Sequence, residues 1–141
     1  MQEDKHRVAL QEVMAAIQDG LSGGLLNHQR RIMAMLSLGT QQSIELYLHR
    51  KAVLKSGAQI KHEWFKLSDK NIQERMQPSL TKKWELIDSM NEVISFARTI
   101  ETDRNDIVYG APLESDKKLR ELINTFLTLT AIIEKETGKL T

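Results

Sequence analysis

Cysteine is absent from this chain, which removes disulfide frameworks, thiolate nucleophiles and thiolate-held zinc from consideration and makes a cytoplasmic setting the expected one. Proline occurs only twice, at Pro78 and Pro112, and no alternating β-branched run is bounded by hairpin signals, so a strand-rich architecture is not expected. Charge of either sign is also lacking in excess, with 20 Lys and Arg against 19 Asp and Glu. No overall field draws the chain onto nucleic acid or an anionic membrane, and any such binding needs a local patch. No apolar run has the length of a signal peptide core or a bilayer span, so a soluble protein without a membrane partner is expected. Gly23 and Gly24 lack the Lys and Ser/Thr that would complete a phosphate loop, and no dinucleotide fingerprint is present, so no cofactor is expected.

What is present is helical periodicity almost throughout. The 141 residues, 40% of them hydrophobic, suit a single domain spanning 1–141 that buries about two-thirds of its unfolded surface. The fold class is all-α. Leu10, Val13, Met14, Ile17 and Leu21 fall at helical spacing, and the phase continues through Leu25, Ile32 and Met35 or Leu36. This predicts one long first helix, kinked or briefly broken at Gly20, Gly23 and Gly24. A second helix is expected from an N-cap at Thr40 to a stop at Gly57, with Ile44, Leu48 and Ala52 on one side and Leu46 and Val53 on another, as in a helix buried on more than one face. Ser68 is a candidate cap for a short helix through Met76, ahead of Pro78. From Thr81 onward Leu86, Met90, Val93, Ala97 and Ile100 form the cleanest stripe, ending at Gly110 and Pro112. A last helix capped by Ser115 carries Leu119, Leu122 or Ile123, Phe126, Leu129 and Ile133 and ends near Gly138.

Arg104 lies on the inward stripe of the penultimate helix. Such an arginine can pair with a carboxylate, or lay its stem over apolar surface while the charge reaches water near the negative end of the helix. It can also hold an anion with its planar donor fork. Spacing alone favours the structural reading.

Other polar residues give less. His6, His28, His49 and His62 lack the spacing of a helical zinc site and no metal is expected; His28, near the apolar phase, reads as a hydrogen-bonded core histidine. The clusters "HQRR" and "HRK" read as solvated faces, and Trp64, Phe65 and Trp84 as packing residues, although each could serve a nucleic acid. Glu63 and Glu85 have no carboxylate partner identifiable from the sequence.

The stretch "RNDIVYG", residues 104–110, resembles the signature of HEPN domains, the higher eukaryote and prokaryote nucleotide-binding family. "ELYLHRKAVLKSG" and "IKHEWF" are similar to the second helix and following connector of that family. The resemblance implies an up-and-down bundle of four to five helices, and a motif of Arg, a polar residue and, a few positions later, His. Arg104 and Asn105 match this motif, and Tyr109 stands where the histidine is called for. In members that are metal-independent ribonucleases the histidine handles the proton of the RNA 2′-hydroxyl while the arginine stabilises charge on the phosphate. Tyrosine, with a reference pKa of about 10 against about 6.5 for histidine, makes a poor base at neutral pH. No histidine follows His62. The resemblance therefore implies a homodimeric module in which Arg104 and Asn105 bind nucleotide or RNA, or which engages a protein partner, with a degenerate nuclease motif. The catalytic candidates are Arg104, Asn105 and Tyr109. The alternative it implies is an active ribonuclease, the toxin of a toxin-antitoxin pair with a minimal nucleotidyltransferase partner.

Overall fold

The computed structural model describes residues 2–141. Five α-helices follow one another: α1 (Gln2–Gly23), α2 (Gln29–Arg50), α3 (Asp69–Met76), α4 (Met90–Tyr109) and α5 (Lys117–Thr137). Among the described residues the only extended pairing is an isolated bridge between Leu54 and Leu80. The expected all-α, up-and-down bundle is what the chain forms. α1 runs against α2, with His6 beside Gln42 at one end and Asp19 beside Arg31 at the other. α2 runs against α4, with Arg30 at Val108, Ser37 at Glu101 and Tyr47 at Asp88. α4 runs against α5, Asp103 meeting Lys118.

The break expected within Gly20–Gly24 is present, but it is a full reversal rather than an interruption of one long helix. Gly24 takes a left-handed φ of 94°, a backbone conformation that glycine adopts without the side-chain clash other residues incur. A 3-10 turn over Leu25–His28 then reverses the chain. Leu10, Val13 and Ile17 face the core, whereas Met14 and Leu21 are exposed on the flank. The apolar phase carried across the turn because both arms of the hairpin cover the same core.

α2 begins before the expected second helix, so Thr40 is interior and its hydroxyl bonds the Leu36 carbonyl instead of capping. The helix also stops before Gly57. Val53 N donates to Leu48 O and Ala52 N to His49 O, a Schellman closure in which Ala52, at φ 58°, occupies the left-handed position glycine usually fills. The expectation of a central helix holds: α2 packs on α1, α4 and α5, and Ser43 through Leu48 are all buried. Gly39 makes this approach close, since a Cβ there would lie 2.8 Å from the Phe126 ring and 2.9 Å from Val13.

Ser68 caps α3, accepting from Asn71 N. α4 starts later than expected: Leu86 belongs to a 3-10 turn and is exposed, and the inward stripe begins at Met90. α5 begins after Asp116, one residue past the expected Ser115, and its stripe Leu119, Leu122, Ile123, Phe126, Leu129 and Ile133 is buried as expected.

Candidate functional site

The last turns of α4 carry Glu101, Arg104 and Asn105, and α2 and the 3-10 turn His62–Lys66 pack beside them. Helical spacing sets Arg104 and Asn105 one turn after Glu101 and on its side of the helix. Asn105 Oδ1 accepts from Arg104 Nη1 at 3.1 Å. The two motif residues are thus in contact, and the remaining guanidinium donors are uncommitted: Nε is buried without a partner, and Arg104 makes no ion pair among the described residues.

Three other arginines near helix ends or core edges differ. Arg30 donates to the carbonyls of Val108 at 3.0 Å and Gly110 at 3.2 Å, so the negative end of α4 already has its cation. Arg50 binds Glu3 at 2.8 Å and the Gly138 carbonyl at 3.0 Å, serving the end of α5 in the same way. Arg98 donates to Leu67 O at 3.0 Å and lies 2.8 Å from Asp69 Oδ1, close enough for an ion pair but not aligned as a hydrogen bond. "HQRR" and "HRK" therefore supply helix-end partners, and what reads as a solvated face is largely structural.

Tyr109 does not join the site. It is 75% exposed, and no hydrogen bond ties it to Arg104 among the described residues. A second polar cluster lies on the same helix, centred on Glu101, which the sequence did not single out. Glu101 is 2% exposed; its Oε2 accepts from Ser37 Oγ at 2.8 Å and its Oε1 lies 2.6 Å from His62 Nδ1. The other ring nitrogen of His62 lies 3.2 Å from Glu63 Oε2. A buried acid on a helix edge is the one signal that could have pointed there, since carboxylates are rarely buried without a partner. Glu101 and Glu63 face opposite ring nitrogens and do not converge on one point. Among the described residues no group of three or more potential ligands could hold a metal ion.

The remaining histidines have local duties. His28 Nδ1 sits 3.0 Å from Gly24 O and braces the α1–α2 turn. The core histidine is His6, not His28: it is buried, 2.6 Å from Gln42 Oε1. Phe65 and Trp84 are buried and Trp64 is packed on the core, leaving no aromatic stacking platform at these positions. The concavity between α1 and α5, lined in part by Leu10, Met14, Phe126 and Leu127, is mainly apolar and includes neither Arg104 nor His62.

Comparison with family models, with curated proteins and with solved structures yields no match for this chain.

Proposed function

We propose that this chain is a HEPN-like helical module whose Arg104 and Asn105 hold a phosphate of a nucleotide or RNA. The observation that carries this reading is the unpaired Arg104. A structural arginine at a helix end is expected to hold a carboxylate or the terminal carbonyls, and at α4 the carbonyls belong to Arg30. A guanidinium with a buried, unpartnered Nε costs stability unless something pairs with it. A phosphate fits that need, because two of its oxygens can accept the parallel donors of the fork. The exposed Tyr109 supplies no proton shuttle, so the motif as written in the sequence is degenerate. The same reading pairs two copies through the motif-bearing face, where each Arg104 gains a neighbour, and admits a nucleotidyltransferase or other protein partner.

The test is fluorescence anisotropy with a labelled single-stranded RNA and, separately, a labelled ATP analogue. Arg104→Ala is expected to weaken binding at least tenfold while the thermal midpoint holds within a few degrees. Lost stability with unchanged binding would make Arg104 a structural residue and defeat the reading.

A further inference from the structure

Of the six large apolar side chains exposed among the described residues, three, Met14, Leu21 and Leu127, line the groove between α1 and α5. Leu10 and Phe126 lie in it toward one end and Ile123 toward the other, and Leu127 is common to both parts. Apolar side chains gathered along one line and left in water mark an interaction surface. The groove includes neither Arg104 nor Asn105, so it is separate from the phosphate site.

The α5 wall of the groove holds Arg120, Asn124, Leu127, Thr130 and Glu134. Seven residues make about two helical turns, so Arg120 and Glu134 share the side of α5 that carries Leu127, one two turns before it and the other two turns after. Asn124 and Thr130 stand three residues to either side of it. The row is therefore self-complementary about Leu127: turned end for end, it sets arginine on glutamate, asparagine on threonine and leucine on leucine. A parallel pairing would set like charges on each other at both ends. Arg120 meets Asp116 through Nε at 3.0 Å, in a pair exposed on the surface and so of little strength. Glu134 accepts from Leu140 N through Oε2 at 3.1 Å, and its Oε1 takes part in no hydrogen bond among the described residues.

We propose that this groove is the contact surface for a second copy of the chain, the two α5 helices packing antiparallel about a two-fold axis at Leu127. Each Arg120 then faces the partner subunit's Glu134, and Leu127 meets the partner subunit's Leu127 in an apolar centre flanked by Met14 and Leu21. A contact of this symmetry closes on itself. Stable interfaces draw on about 20–30 residues a side, and this face is smaller, so the contact is weak, with a dissociation constant on the order of 100 μM. It is distinct from the pairing of motif faces and joins chains at higher concentration.

The chain has no cysteine, so Leu127→Cys introduces its only thiol. Packed helices lie about 8–10 Å apart, which leaves facing Cα atoms at the two-fold axis about 5 Å from each other, within the span of a disulfide. The measurements use the full chain carrying Arg104→Glu, which weakens the pairing of motif faces, with the thermal midpoint followed in parallel. At about 200 μM, above the expected dissociation constant, Leu127→Cys is expected to oxidise to linked pairs about tenfold faster than Leu86→Cys, a more exposed position outside the groove. In sedimentation equilibrium without the added thiol, Arg120→Glu and Glu134→Arg are each expected to weaken pairing about tenfold, and the two together to restore it, a return that a merely structural role would not give. Equal oxidation at the two positions, or a single-chain mass at every concentration, overturns the proposal and leaves the groove to a helix of a different protein. Pairing that neither charge variant moves, or that the combined variant fails to restore, overturns the antiparallel alignment at Leu127. These outcomes leave the phosphate-binding reading of Arg104 untouched, since that reading is tested by ligand binding.

Discussion

Tyr47 Oη lies 3.1 Å from Glu136 Oε1, joining the last turn of α2 to the end of α5. The Asp88 carbonyl accepts from the same hydroxyl, and Lys51 Nζ reaches Glu136 Oε1 at 3.1 Å. Burial alone would raise the Glu136 carboxyl, but contacts from Ser89, Lys51 and Tyr47 outweigh it and hold the group below the ordinary carboxylate range. Burial, followed by the Glu136 charge, pushes the Tyr47 hydroxyl up.

The signs of the two effects give stability two flanks. Glu136 is depressed in the folded chain, so its contribution is full above the unfolded carboxylate value of about 4.3 and is lost as pH falls through the folded value. Tyr47 is raised, so its contribution is full below about 10 and is lost as pH rises from there through the folded value. Urea unfolding across pH should show a shallower acid loss in Glu136→Gln and a shallower alkaline loss in Tyr47→Phe. Parallel profiles for variant and unaltered protein on either flank would refute the corresponding assignment.

Gly39→Ala should destabilise the bundle. The added methyl gains about 1 kcal/mol of helix propensity, but it meets Phe126 at 2.8 Å and Val13 at 2.9 Å in a filled core. Overpacking of that kind costs about 1–3 kcal/mol. The balance is a loss, and Gly39→Val, adding two more methyl groups at the same spot, should lose more. A thermal midpoint raised by either substitution would contradict the close approach of α1, α2 and α5.

Ala52→Gly should stabilise. Ala52 is exposed and holds a left-handed φ of 58°, and removing its Cβ relieves roughly 1 kcal/mol of strain. Part of that gain is offset by the extra freedom of glycine in the unfolded chain, about 0.4–1 kcal/mol. The expected result is a small rise in the denaturation midpoint with an unchanged slope, and a fall would show that the turn holds no such strain.

Sedimentation equilibrium should report twice the chain mass at micromolar concentration, falling on dilution, and Arg104→Glu should shift the balance toward single chains. A mass equal to one chain at every concentration would rule out the pairing of motif faces.

Parts of this architecture were legible in the sequence because they depend on neighbours. The α5 stripe from Leu119 to Ile133, the Ser68 cap and the end of α4 at Gly110 follow from spacing and capping chemistry alone. The α1–α2 hairpin was not, because helical phase survives a turn when both arms face one core, and three glycines near a kink look like one glycine at a reversal. The end of α2 was hidden because alanine fills a place where glycine is the usual sign. Arg104 and Asn105 were legible as a pair. The link from His62 to Glu101 spans 39 positions and depends on the path of the connector between α2 and α4, which no local pattern reports.

Arg30 and Arg50 stand at opposite ends of α2, a helix of 22 residues and hence about 33 Å long. Each guanidinium grips the last carbonyls of a different neighbour, α4 at one end of the bundle and α5 at the other. Leucines and isoleucines recur every turn or two, and on their own they would tolerate a helix displaced along its axis by a step. The two arginines would not, since such a slide pulls both grips off together. α2 therefore works as a calliper: the distance between its jaws measures the bundle from end to end and admits one register.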